Sequence, residues 1–287
     1  MATIFKPSKR NARAKRATPA DNGVFELHIE RLADDGRGIA HHNNKVVFVL
    51  GALPGEHVQA RLLKRHKRFD EAECVQLLAA SGHRAAPSCS HYGQCGGCQL
   101  QHLAYPEQVV HKRSRLSAII DEVVDVEVIT GPPEGYRHRA RLSYRAGHLG
   151  FKAAAAHHIV DTVTCPVLEP ALDAAITAVR ETLLRALKQS HEAELLFSLG
   201  EGGRVGLVVE DSRRRSSEWS ESLASALLPT VQLYRVRSSG GVWLNECEPL
   251  RYSSSTSHAL HFTPTDFTQA NRELNTQLVE HSVAWLG

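Results

Sequence analysis

Apolar and polar positions alternate through Phe25, Leu27 and Ile29, the two-residue period of a half-buried strand. DDGRG then turns the chain, Asn43 and Asn44 precede an apolar strand from Val46 to Val49, and GALPGE leads into alternating Val58, Ala60 and Leu62. Short strands parted by Gly, Asn and Pro turns predict a small β-barrel of about 60 residues. Cys74 falls in its last strand, EAECVQLL, and reads as a core position rather than a ligand.

Beyond the barrel the pattern changes. A helix is expected from Tyr105 to Val123, then a basic strand, YRHRARLSY. Leu172, Ile176, Val179, Leu183 and Leu187 recur at helical spacing and predict an amphipathic helix with one buried face. ELLFSL and VGLVVE flank GEGGR; a phosphate-binding loop would open a helix, whereas a second strand follows here, so a β-hairpin turn is expected at Gly200, Gly202 and Gly203. A helix through Trp219 and Leu223 and strands near Tyr234 and Trp243 complete the pattern. The expected division is a basic tail over residues 1–17, a barrel over 18–80, a central domain over 81–261 and a further segment over 262–287.

With 287 residues, 42% of them hydrophobic and 23% charged, the chain has room for about two domains with cores of their own. No apolar run approaches the roughly 18 residues of a membrane span, and MATIFKPSKRNARAKR lacks an export-type apolar region. A cytoplasmic protein with no membrane partner is expected. The net charge of +3 conceals clusters: the tail (Lys6, Lys9, Arg10, Arg13, Lys15, Arg16), RLLKRHKRF with Lys64, Arg65, Lys67 and Arg68, HKRSR with Lys112, Arg113 and Arg115, and Arg137, Arg139, Arg141 and Arg145. Interleaved with Phe69, Tyr136 and Tyr144, these runs point to RNA, whose phosphates pair with cations and whose unstacked bases lie on aromatic and guanidinium planes. Lys64, Arg65, Lys67, Arg68, Arg137, Arg139 and Arg141 are the expected RNA contacts.

The cysteines carry the sharpest spacing. Cys89, Cys95 and Cys98 stand in CSHYGQCGGC, and Cys165 follows in CPVLEP. In a reducing compartment such a set reads as metal-binding before it reads as disulfides. A close triad with a remote fourth thiolate followed by Pro166 suits an iron–sulfur cluster; zinc, which usually pairs two C-x2-C knuckles, stays open. Gly93, Gly96 and Gly97 would let the backbone wrap the centre and offer N–H groups to it. The following helix would place its positive end near Cys165. Cys247, in NECEP, has no acid–base partner nearby in sequence and is not read as catalytic.

Taken in order, C-x5-C-x2-C with GGCQLQH, YRHRARLSY, TCPVLEP and FTPTDFTQANRELN resemble the bacterial 23S ribosomal RNA (uracil-5-)-methyltransferases. ADDGRGIAHHNNKVVFVLGALPGE resembles a TRAM domain, an OB-like RNA-binding barrel, which points to the TRAM-bearing subtype. The resemblance runs from about Phe25 to the end of the chain. It implies a mixed α+β fold: an OB-like TRAM β-barrel, then an α/β central domain carrying a [4Fe-4S] cluster on Cys89, Cys95, Cys98 and Cys165. It also implies methyl transfer from S-adenosylmethionine to C5 of a uridine, with 23S rRNA rather than DNA as partner and the protein a monomer. Gln269, in FTQAN, is implied to contact S-adenosylmethionine.

The family pattern continues into a doubly wound methyltransferase domain with a glycine-rich turn, a catalytic Cys in S-C-N-P and a downstream Glu base. None of these motifs occurs in this sequence. The expectation is therefore a fragment from which that domain is almost entirely absent, inactive by itself, binding RNA and the cluster. Ala270, Leu274, Leu278 and Trp285 would leave an apolar face exposed. A stand-alone RNA-binding module and a zinc-stapled structural protein are the competing readings.

Overall fold

The computed structural model describes residues 23–120, 126–154, 158–188, 190–211, 215–237, 240–244, 249–253 and 259–286. The basic tail and Cys247 lie outside them. The chain divides into two compact units, one ending at Gly82 and one beginning at His83.

The first unit is all β. Strands β1 (Val24–His28), β2 (Arg31–Leu32), β3 (Gly38–His42), β4 (Lys45–Leu50), β5 (His57–Arg65) and β6 (Phe69–Ala79) form one sheet in the order β1-β5-β6-β4-β3-β2. Every pairing is antiparallel except β4 with β6. Just past β1, the Glu30 N–H donates to the Ile39 carbonyl of β3 at 2.8 Å, so the sheet curls back on itself. The alternating residues point inward as their period requires: Leu27, Ile29, Val47, Val49, Val58 and Ala60 are buried in one core. Cys74 packs against that core opposite Ala60. Glu56 is fully buried; its carboxylate accepts from the Leu53 N–H at 2.8 Å and the Ser81 N–H at 3.2 Å, as a buried polar group requires.

The second unit opens with the cysteine loop and α1 (Tyr105–Ile120), then β7 (Arg139–Arg145), β8 (His148–Lys152), β9 (Ile159–Asp161) and α2 (Pro170–Leu187). β10 (Glu192–Leu199), β11 (Val205–Asp211), α3 (Ser217–Ala226), β12 (Val231–Arg237) and β13 (Gly240–Trp243) follow, and then β14 (Leu250–Ser253), β15 (Ala259–Phe262) and α4 (Arg272–Leu286). Seven strands make the main sheet, in the order β13-β12-β11-β10-β7-β8-β9, and β14 pairs with β15 separately.

The amphipathic helix forms as its spacing predicts. Leu172, Ile176, Val179, Leu183 and Leu187 are all buried, packed with Leu142, Leu195 and Phe197 of the sheet and Leu223 of α3. Arg180 is buried on the same helix, with 8% of its side chain exposed. Its guanidinium donates to the carbonyls of Thr162 at 3.0 Å and Leu149 at 2.9 Å and pairs with Asp161, clipping α2 to β8 and β9. The GEGGR segment is a tight connection between antiparallel β10 and β11, with φ of 68° at Gly202 and 76° at Gly203, values that glycine adopts without strain.

Two parts of the expected fold class are corrected here. The second unit is not an α/β layer structure. An α/β sheet needs helical crossovers between parallel strands, and among the described strands of this unit only β11 and β12 are parallel, joined through α3. The remaining pairings are antiparallel, so the unit is a mostly β mixed fold with helices on a hairpin-built sheet. The second correction concerns the cluster: among the described residues no group of three or more His, Cys, Asp or Glu is arranged to hold a metal ion. No helix among them is long and apolar enough to cross a membrane. At α4, Leu278 is 53% and Trp285 90% exposed, whereas Phe262 is buried.

Candidate functional site

Three places gather the residues singled out by the sequence. The first is the β5–β6 hairpin of the first unit, whose tip carries Lys64, Arg65, Lys67 and Arg68, all exposed. The base of the tip is fixed by Lys45, whose ammonium lies 2.6 Å from Asp70 Oδ1, and by His66 stacked on Phe69 with ring centroids 4.2 Å apart. The four tip cations take no part in those contacts and point their charge at solvent.

The cysteine loop is the second. Its neck is closed by hydrogen bonds from the Ala85 N–H to the His102 carbonyl and from the Ala104 N–H to the His83 carbonyl, both 2.9 Å. Cys95 bridges to Ala153 and the Gly96 N–H donates to the Lys152 carbonyl at 3.0 Å, which docks the loop on the end of β8. Gly96 is thus committed to the backbone, while the Gly97 N–H reaches Cys95 Sγ at 3.4 Å. Cys165 sits in the turn before α2, its N–H donating to Asp173 Oδ1 at 2.8 Å.

Burial pushes the Cys165 thiol up to about 11; the Cys98 and Cys89 sulfurs push it the same way, against the Val167 and Leu168 N–H groups. Burial likewise raises Cys98, where Cys95 and Cys89 add and the Gln101 side chain and Arg137 oppose. The Cys98 thiol on the loop and the Cys165 thiol in the turn before α2 thus each feel the charge of other thiols of the set. The four are soft donors that, among the described residues, are not arranged to hold a metal ion.

The third place is built by β7 and the segment before α4. Along RHRARLSY the even positions His138, Ala140, Leu142 and Tyr144 are buried, and the odd positions Arg137, Arg139 and Arg141 occupy the other face. Tyr144 is thus a core side chain and is corrected as a base-stacking candidate. Arg137 and Arg141 are exposed. Arg139 is turned to the chain itself, donating to the Pro264 carbonyl at 2.9 Å and to Thr268 Oγ1 at 3.4 Å.

His138 holds the same segment. Nδ1 lies 3.1 Å from the Ala270 carbonyl and Nε2 3.1 Å from Thr268 Oγ1. Burial, with Arg272, Arg139 and Arg137 adding, lowers its pKa to about 4 despite the Ala270 contact, so the ring is neutral at pH 7. A carbonyl only accepts, so the proton sits on Nδ1 and Nε2 accepts from the Thr268 hydroxyl. Gln269 stands between these two anchor residues and lines a cavity of about 450 Å³ with His138, Tyr252, Phe267, Thr268 and Arg272. Arg272 in turn donates to the Leu199 carbonyl at 2.8 Å, and the Asn271 side chain caps α4 by accepting from the Leu274 N–H at 2.9 Å. The sequence reading missed His138, Tyr252 and Arg272; the inward parity of position 138 in RHRARLSY was the available signal for the first.

Known proteins place this chain. A TRAM domain model matches residues 22–75. The 23S rRNA (uracil(1939)-C(5))-methyltransferase RlmD of Halomonas elongata is 36% identical over 97% of this chain and 61% of its own length. Its counterparts in Chromohalobacter salexigens and Klebsiella pneumoniae are 37% and 36% identical, over 98% and 92% of this chain and 64% and 62% of their own lengths. The chain thus spans less than two thirds of these relatives. The crystal structure of Pyrococcus abyssi tRNA (uracil-54, C5)-methyltransferase in complex with S-adenosyl-L-homocysteine superposes with a TM-score of 0.68 at 22% identity, covering 90% of this chain and 64% of that one. The chain matches the fold of a uracil methyltransferase along 90% of its own length, so the expectation that the methyltransferase fold is almost entirely absent is not borne out. With its TRAM match and its alignment along almost all of its length, the chain belongs to the TRAM-bearing 23S rRNA (uracil-5-)-methyltransferase family.

Proposed function

We propose that this protein serves methyl transfer from S-adenosylmethionine to C5 of a uridine in large-subunit rRNA, acting as a monomer on RNA rather than DNA. The observation that carries the reading is the 36% identity to the Halomonas elongata enzyme over 97% of this chain. In this chemistry a thiolate adds to uracil C6, and the resulting enolate carbon C5 takes the methyl group as the sulfonium carbon–sulfur bond breaks. A base then removes the C5 proton, and the thiol departs. The present residues are assigned to binding and orientation. Lys64, Arg65, Lys67 and Arg68 at the hairpin tip, with Arg137 and Arg141, take rRNA phosphates; Arg139 acts by fixing the segment that carries Gln269. Gln269, held between the Thr268 and Ala270 anchors, faces the methyl donor in the cavity it lines.

Cys89, Cys95, Cys98 and Cys165 are proposed as one ligand set for a soft metal centre. Each thiolate raises the cost of ionising the next, which a bound cation would relieve. Such a centre would fasten the loop to β8 and to the turn before α2.

The test is methyl incorporation into a 23S rRNA transcript from S-adenosylmethionine labelled in its methyl group. Transfer onto a uridine supports the reading. RNA binding with no transfer under any condition favours a stand-alone RNA-binding module. Anaerobic purification with metal and sulfide analysis, compared with Cys98→Ala, separates an iron–sulfur centre from zinc; a wild-type chain free of both metals removes the ligand assignment.

A further inference from the structure

Between α2 and α3 lies a cleft of about 490 Å³ whose walls include Arg185, Lys188, Arg215 and Trp219, and among the described residues no carboxylate lines it. α3 carries Glu218 and Glu221, and neither faces this space. The Arg215 guanidinium lies over the indole of Trp219, 4.8 Å from the ring centroid. It is held there by Asp211 Oδ2 at 2.7 Å and by the Ser190 hydroxyl, so one salt-bridged cation and one aromatic ring form a fixed flat wall. Arg185 and Lys188 are exposed at the end of α2; among the described residues the Arg185 side chain donates to the Thr182 hydroxyl, at 3.4 Å. Complementing the last carbonyls of α2 would account for one cation there. It does not account for a second cation beside it, nor for the guanidinium–indole wall opposite.

A concavity of this size with exposed cations on one side and a planar wall on the other has the chemistry of a single-stranded nucleic-acid subsite, phosphate to the cations and base against the plane. It lies on the helical layer of the second unit, which packs on the sheet face of Leu142 and Tyr144. Arg137 and Arg141 occupy the opposite sheet face.

We propose that the α2–α3 cleft is a second RNA contact of this protein, in which Arg185 and Lys188 bind the backbone of a single-stranded stretch and a base lies against the Arg215–Trp219 wall. The inference rests on the rRNA reading above and extends it to a surface which that reading does not use.

The experiment measures binding of an end-labelled oligouridine of about 12 nucleotides, a length that spans one such subsite, across a salt series. Wild type is compared with Arg185→Gln/Lys188→Gln, with Trp219→Phe, and with Lys64→Gln/Lys67→Gln as a variant that leaves the cleft intact. The expected result for the cleft pair is about tenfold weaker binding and a salt slope shallower by about 1.4, two single-strand phosphate contacts, with unchanged circular dichroism. RNA should quench tryptophan fluorescence in wild type and in the hairpin variant, and the quench should disappear in Trp219→Phe. If the cleft variants bind oligouridine as wild type does, with the same slope and the same quench, the cleft is not an RNA contact, while the rRNA reading stands. If wild type binds neither oligouridine nor a 23S rRNA transcript, both fall together.

Discussion

The imidazole of His138 and the hydroxyl of Thr268 meet at 3.1 Å across 130 positions of sequence. Because His138 is neutral and its Nδ1 proton is committed to Ala270, the Thr268 hydroxyl donates to Nε2 and accepts from Arg139. Protonating this ring places a charge among three guanidinium groups. The folded pKa, about 4, lies below the usual histidine value of about 6.5. The unfolded chain therefore binds the proton more readily in between. Stability from this group is complete above about pH 6.5 and declines as pH falls toward 4. Melting temperature measured from pH 4 to 7.5 should fall on the acid side in wild type and flatten in His138→Gln. An identical slope in the variant would show that the acid sensitivity arises elsewhere.

Arg180 joins α2 to two strands through the Thr162 and Leu149 carbonyls. Arg180→Ala leaves both acceptors without that donor in a buried place, and a loss of about 2 to 3 kcal/mol is expected. The Asp161 partner is 50% exposed, so Asp161→Asn should cost under about 1 kcal/mol. Urea unfolding of the pair reads the difference; equal losses would mean that the ion pair, rather than the carbonyl contacts, carries the clip.

Gly150, in β8, faces the neighbouring strand so closely that a Cβ would stand 2.0 Å from the Val160 carbonyl oxygen and 2.6 Å from the Thr162 nitrogen. Both are backbone atoms and cannot swing aside. Gly150→Ala should part β8 from β9 and lose the Arg180 clip with them. The expected readout is raised amide exchange over Ile159–Asp161, with the first unit unaffected.

In the first unit the Glu56 carboxylate is the acceptor for the Leu53 and Ser81 amides. Glu56→Ala removes it without supplying water, for an expected loss of about 1 to 3 kcal/mol. Glu56→Gln keeps an acceptor oxygen and should recover part of that loss. Thermal unfolding followed by a probe within residues 23–82 distinguishes the two.

Much of this architecture was legible because it is written at short range. The strand alternation before Leu62 and the helical repeat from Leu172 to Leu187 need only their own residues to declare a buried face. What lay out of reach depends on partners far along the chain. Arg139 reads in sequence as one more cation of a basic strand, and Pro264 and Thr268, which turn it inward, lie 125 and 129 positions away. Arg180 interrupts an apolar stripe, and only the Leu149 and Thr162 carbonyls explain why it is tolerated there. The α/β expectation failed similarly: helices and strands alternate in sequence, but strand direction is set by hairpins whose register no local pattern states. The cysteine spacing located one loop and one turn correctly, yet spacing alone does not fix how closely four sulfurs approach.

The grip of β7 on the segment from Pro264 to Ala270 also has a schedule. At roughly 5 to 20 residues per second of synthesis, the 125 positions separating Arg139 from Pro264 take roughly 6 to 25 seconds to appear. Strand β10, which pairs with β7, is complete well before then. For that interval a growing chain displays a strand whose guanidinium and imidazole still lack the carbonyl and hydroxyl they will hold. The cavity around Gln269 is accordingly the last part of the second unit to acquire its walls, and a nascent chain stalled before Pro264 would carry its arginines free for any anion that reaches them first.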